Sequence, residues 1–163
     1  MSSRPASRLP SLGKRGEGWV VAQLVLGAIA AVLGFLGPDW PSSVATALAV
    51  VGAAIAVIGA LFLLTGVIAL GHSLTPFPKP RDESSLREGG VFGLVRHPLY
   101  GGAILIFLGW SMASSPLALV ATAALGMLLE LKSRREEAWL VERYDDYEAY
   151  RARVRWKFVP GIR

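Results

Sequence analysis

The sequence predicts an all-α integral membrane protein with four membrane segments, the third and fourth forming a short helical hairpin, and an amphipathic C-terminal helix in the cytosol. Three observations lead there. Mean hydropathy is +0.46 with only 18% charged residues over 163 positions, too apolar for a water-soluble domain of this length. Four apolar stretches are separated by turn-forming or polar segments. All 17 Lys and Arg residues fall on one side of those stretches.

The chain reads as one domain over 1–163: a polar start at 1–18, two spans within 19–70, and a region from 71 to 160 that carries the chemistry. Residues 19–36 are apolar except for Gln23 and stop at Gly37-Pro38-Asp39-Trp40-Pro41, a tight turn. A cleaved signal peptide would have a shorter apolar region followed by a small-residue cleavage site, and neither is present. Residues 44–70 carry no charge and can cross about 30 Å of hydrocarbon with tilt. Within them Ala45, Gly52, Gly59 and Gly66 recur every seven residues, a small-residue stripe read as a helix-packing face.

Thr75-Pro76-Phe77-Pro78-Lys79-Pro80 has three alternating prolines, which remove amide donors and favour an extended path. Residues 99–113 and 116–131 are apolar but shorter than a full span, so they form either a transmembrane or a re-entrant hairpin. From Lys132 the chain is charged, with Leu140, Tyr144, Tyr147, Arg151 and Val154 spaced by three and four as on one helix face. This tail is expected to rest on the membrane or cap the bundle.

Positive charge orients the whole. Arg4, Arg8, Lys14 and Arg15 precede the first span, Lys79, Arg81, Arg87 and Arg96 lie between the second and third, and the rest follow from Lys132. The positive-inside rule therefore places both termini and the central loop in the cytoplasm. The absence of cysteine excludes a disulfide scaffold, a thiol nucleophile and a Cys-ligated metal. Only two histidines are present, His72 and His97, and no metal set is found around them; His72 is read as an interfacial residue. The net charge of +5 follows membrane topology, so membrane lipids are expected as partners and nucleic acid is not.

Polar groups gather at the two feet of the hairpin. One foot holds Arg96, His97 and Tyr100 with flanking glycines, an arrangement suited to an anion or a carboxylate; the other holds Glu130, Lys132, Arg134, Arg135, Glu136 and Glu137. From residue chemistry alone, Arg96 equally snorkels to lipid phosphate while His97 caps the helix, and Glu136-Glu137 equally forms a solvated face paired to nearby bases.

The stretch Leu74-Thr75-Pro76-Phe77-Pro78, the block from Glu88 through Arg96-His97-Pro98-Leu99-Tyr100 to Gly102, the pair Glu136-Glu137, and Tyr147-Glu148-Ala149-Tyr150 with Val159-Pro160 resemble the isoprenylcysteine carboxyl methyltransferase family and its phospholipid methyltransferase relatives. The resemblance covers about residues 70–160. It implies an S-adenosyl-L-methionine-dependent membrane enzyme with a cytosolic cofactor pocket and a lipid-like or prenylated small-molecule acceptor. Carried over by position, His97, Pro98, Leu99 and Tyr100 would line the cofactor. Leu86 and Phe92 would flank it, and Glu137, with Glu136 beside it, would hold the methionine ammonium. Arg96, His97 and Arg134 are the residues expected at the reacting groups. The chain departs from the family in having Phe92 where a tyrosine is usual, and in lacking a glycine before its paired tyrosines. An isoprenylcysteine-like carboxylate is the expected acceptor; a phospholipid amine is the rival in chemistry, and a non-catalytic protein binding anionic lipid the rival in class.

Overall fold

The computed structural model describes residues 9–80 and 85–162, so Arg4, Arg8, Arg81 and Arg163 of the charge pattern lie outside the described residues. Among the described residues there is no strand. Helix α1 (Glu17–Leu36) starts after Gly16, whose positive φ of 85° breaks the preceding chain, and stops at the Gly37-Pro38 turn. Helix α2 (Ser42–Leu70) starts after Pro41 and ends at Gly71 with φ 50°. Helix α3 (Pro98–Ser114) carries proline in its first turn, where the missing amide is harmless. Helix α4 (Pro116–Arg143) follows after one extended residue, Ser115, whose side chain caps it by accepting from the Leu117 amide. Helix α5 (Tyr147–Arg153) is two turns long.

Among the described residues, three segments are long and apolar enough to cross a membrane: Glu17–Leu36, Ser42–Ser73 and Pro116–Arg143. Helix α3, at 17 residues, is shorter than the length usual for a full span. Helix α1 packs on α4 and buries Trp19, Gly27 and Ala30, while α2 packs on α3. The glycine stripe explains the second contact. The buried residues of α2 are Gly52, Gly59 and Gly66. A methyl added to Gly59 would lie 2.8 Å from the carbonyl oxygen of Gly102, and one added to Gly102 would lie 2.7 Å from that of Gly59. Gly109 and Gly52 meet the same way one period further along, so the two backbones touch without side chains between them.

The tail differs from the expected single amphipathic helix in two ways. Helix α4 does not stop with the apolar run at residue 131 but continues to Arg143, because Lys, Arg, Glu, Ala and Leu propagate a helix as well as the residues before them. The chain then breaks at residues 144–146, and α5 contains only Tyr147–Arg153. The shared face exists nonetheless: Tyr147, Tyr150 and Val154 form a buried cluster with Leu86, Leu140, Val141 and Tyr144 against it, whereas Arg151 is exposed.

Beyond α5 the chain is not helical, because its backbone acceptors are taken by another segment. The Arg96 amide donates to the Trp156 carbonyl at 3.1 Å and the His97 amide to the Lys157 carbonyl at 2.8 Å. Preceding Pro98, His97 is held away from helical geometry at φ −128° and ψ 65°, which leaves its amide available for that partner. The Phe158 carbonyl lies against Gly101, where a Cβ would collide with it. The tail therefore lies across the start of α3 and brings α5 over the two hairpin feet.

Candidate functional site

Between the feet of the α3–α4 hairpin, α5 and the proline-rich segment 74–80 lies an open-mouthed cleft whose enclosed part holds about 130 Å³. Each wall follows from a local feature. The prolines keep segment 74–80 out of a helix, but the chain bends through 76–79 instead of running extended, and it is fixed from outside: the Lys79 amide donates to the Arg15 carbonyl at 3.4 Å, and the Arg15 guanidinium lies 4.5 Å from the centre of the Phe77 ring. A short 3₁₀ turn at Gly90–Gly93 buries Phe92 against the cleft, and Tyr150 donates its hydroxyl to the Phe92 carbonyl at 2.8 Å. The first turn of α3 contributes Pro98, Leu99 and Tyr100.

The two acids of the Glu136-Glu137 pair separate. Glu136 lines the cleft and accepts the Tyr100 hydroxyl at 2.6 Å on Oε2. Glu137 lies beneath, with Oε1 2.9 Å from Arg96 Nε and 3.1 Å from His97 Nε2. Arg96 also donates through Nη1 to the carbonyls of Val154 at 2.7 Å and Arg155 at 3.0 Å. The His97 ring stacks parallel on Tyr100, with centroids 5.4 Å apart, so the buried ion pair sets the ring that forms the cleft floor.

Of the residues singled out from the sequence, Leu86, Phe92, Arg96, His97, Pro98, Leu99, Tyr100 and Glu136 all reach the cleft. Glu137 is not part of its lining but supports it. Arg134 is placed elsewhere: its side chain is 63% exposed and pairs with Glu130 at 2.8 Å, one helical turn away. Glu130 also holds Lys157 of the tail at 2.9 Å. His72 is exposed in the 3₁₀ turn Gly71–Ser73.

Several lining residues had no role assigned from sequence: Phe77, Arg87, Leu140, Tyr144, Tyr147 and Tyr150. Part of the signal for the tyrosines was present, since Tyr144 and Tyr147 lie on the face read as amphipathic and Tyr150 in the closing Tyr147-Glu148-Ala149-Tyr150 motif, whereas the face assigned Arg151 in place of Tyr150. Burial pushes the Tyr147 phenol far above its ordinary range, and the carboxylates of Glu137 and Glu136 push it further. Tyr150 is also raised, by burial first and then by Glu88 and Glu137, against the opposing charge of Arg96. Both phenols therefore stay neutral donors. Together the walls offer one carboxylate, a group of aromatic rings, and the cations Arg87 and Arg96. Such a set suits a zwitterion that carries further positive charge beside aromatic faces. Among the described residues no cluster of His, Cys, Asp and Glu could hold a metal ion.

Comparison with known proteins adds two findings. The profile of the phospholipid methyltransferase family matches residues 47–147. The chain is also similar to a Delta(14)-sterol reductase of Methylotuvimicrobium alcaliphilum, 31% identical over 88 residues, which is 52% of this chain and 21% of that protein. The chain thus spans about a fifth of that relative's length. No solved structure matches it.

The raised phenols give a prediction on the alkaline side. In the unfolded chain Tyr147 ionises near its ordinary value of 10.0, but in the folded chain only well above it. The unfolded state then loses a proton first, so this contribution to stability is complete below pH 10 and falls as pH rises beyond it. Denaturation midpoints of detergent-solubilised protein should fall from pH 9.5 to 11, and less steeply in Tyr147→Phe. Equal slopes for the two proteins would contradict the burial of that phenol.

Proposed function

Because the chain belongs to the phospholipid methyltransferase family, we propose that it transfers a methyl group from S-adenosyl-L-methionine to a lipophilic acceptor, and that this acceptor is the carboxylate of an isoprenylcysteine-like molecule. The cleft's donor set fits the cofactor. Glu136 would take its ammonium, with Tyr100 fixing the carboxylate that does so. Tyr100, Tyr144, Tyr147 and Tyr150 would face its positively charged sulfur and its base. When bound, the cofactor supplies an electrophilic methyl group on a sulfonium.

The chain's own work is then alignment and exclusion of water. Segment 74–80 and α5 cover the cleft from two sides, and the Glu137–Arg96–His97 group keeps its floor in place. A carboxylate acceptor arrives ionised at neutral pH, so no side chain has to remove a proton from it.

The observation that carries the choice of acceptor is the charge on the walls. With Glu136 given to the cofactor's ammonium and the Arg96 charge met by Glu137, the further charge on the lining is the cation Arg87, beside the imidazole of His97. That cation attracts a carboxylate and repels an ammonium. Arg134, which the sequence reading added to the cations, supports the choice no longer because it points away. The second reading, methylation of a phospholipid amine, is favoured by the description of the family itself. The placement of the cleft in the cytoplasm rests on the charge distribution alone.

Calorimetry with detergent-purified protein tests the cofactor assignment. Glu136→Gln keeps shape but removes a charge-assisted hydrogen bond of about 1.5–3 kcal/mol, so affinity for S-adenosylmethionine should fall roughly ten- to a hundredfold. An unchanged affinity in a folded variant would move the ammonium elsewhere.

Turnover against pH separates the acceptors. A carboxylate is fully ionised by about pH 6, so the rate with saturating cofactor in neutral lipid should be nearly flat from about pH 6.5 to 8.5. A tenfold rise per pH unit would instead identify an amine whose neutral form is the nucleophile.

Orientation is open to single-cysteine labelling, since the chain has no cysteine of its own. An impermeant thiol reagent applied outside cells should modify Ser42→Cys and spare Glu142→Cys; the reverse pattern would put the cleft on the outer side.

A further inference from the structure

Lys132, one of the charged residues at the α4 foot of the hairpin, is not among the residues lining the cleft and is only 2% exposed. Its ammonium donates to Gln23 Oε1 of α1 at 2.6 Å and to the Pro76 carbonyl at 3.2 Å, and lies 4.9 Å from the centre of the Tyr100 ring. Among the described residues no carboxylate stands within ion-pair distance of it. A buried ammonium held by two neutral oxygens and an aromatic face is costly to place, and its position is determined by those partners.

Three of the elements it joins are walls of the cleft. Pro76 belongs to the bent proline-rich segment, in which its neighbours Thr75 and Phe77 line the cavity. Tyr100 is the ring whose hydroxyl holds Glu136. Glu136 itself stands one helical turn beyond Lys132, on the same face of α4. The fourth element, α1, lies outside the family-matched residues 47–147, yet it supplies the shortest of the contacts, through the single polar residue of its apolar run.

We propose that Lys132 is a positioning residue of the cleft: it ties segment 74–80 to the Tyr100–Glu136 pair, and Gln23 on α1 holds it in that place. Helix α1 is thereby a working part of the site and not only a neighbour of α4. Lys132 touches neither cofactor nor acceptor in this assignment, which rests on the reading of the cleft as a cofactor site.

Two readouts test it. Hydrogen exchange of the amides in segment 74–80, without ligand, reports the tie directly; calorimetry with S-adenosylmethionine reports its effect on binding. Lys132→Met should speed exchange in that segment and weaken cofactor binding, each by roughly tenfold. Lys132→Arg, which can still donate to both oxygens, should restore most of each. Gln23→Leu should shift both in the same direction by less. The Gln23→Leu/Lys132→Met double variant should be no worse than Lys132→Met, because the two residues act through one contact.

Unchanged exchange in segment 74–80, or effects that add in full, would overturn the proposal. If Lys132→Met does not fold, Gln23→Leu decides by the same exchange measurement: faster exchange supports the tie, and unchanged exchange overturns it. Failure of the unaltered protein to bind S-adenosylmethionine would remove the cofactor reading, while the exchange result would still decide the role of Lys132.

Discussion

One buried carboxylate holds the arrangement together. Glu137 receives both Arg96 and His97, which fixes the foot of α4 to the lead-in of α3. Arg96 then reaches past it to two carbonyls of the tail, and the tail returns two carbonyls to the amides of Arg96 and His97. Removing one partner of such a group leaves an uncompensated buried charge, at about 3–5 kcal/mol. That is a large share of a domain's net stability. The His97 ring, the Tyr100 ring stacked on it, and the Glu136 carboxylate bonded to Tyr100 all take their places from this one interaction.

The support and the working surface are thus adjacent residues with opposite duties. Successive positions on a helix point about 100° apart, and here that step puts Glu136 in the cleft wall and turns Glu137 to Arg96 and His97. A sequence displays them as an equivalent pair, and chemistry alone cannot say which faces the ligand. The side chain turned inward meets a guanidinium and an imidazole and becomes structural, while its neighbour meets a phenol and lines the cavity. The same geometry separates Arg134 from Glu136: two residues apart on α4, they point to different sides, and Arg134 finds Glu130 along the exposed face.

The apolar runs and their turns made the helices readable before any coordinates, because long hydrophobic segments and prolines are local signals. The Arg96-to-Tyr100 block was readable as cleft material through its resemblance to the family motif, whereas the proline-rich segment was readable only as a stretch that no helix runs through. Two things were not. The extension of α4 to Arg143 is hidden because hydropathy changes at residue 131 while helix propensity does not. The extended course of the tail after α5 is decided by carbonyl acceptors meeting amides some sixty residues earlier, which no local pattern encodes. The pairing of Lys132 with Gln23, across 109 residues, belongs to the same class. A polar residue in an apolar run marks a need for a partner without naming it.

The glycine stripe of α2 bears on how that helix stays in place. In hydrocarbon the hydrophobic effect does not drive helices together, so pairing depends on close contact between backbones. Gly52 and Gly59 face Gly109 and Gly102 directly. Glycine has no rotamers to freeze, so ordering this interface costs no side-chain conformational entropy. The weak dispersion forces along α2 and α3 are therefore not opposed by that loss, and a helix exposing Val50, Leu61 and Ile68 on its other face remains docked on its glycines.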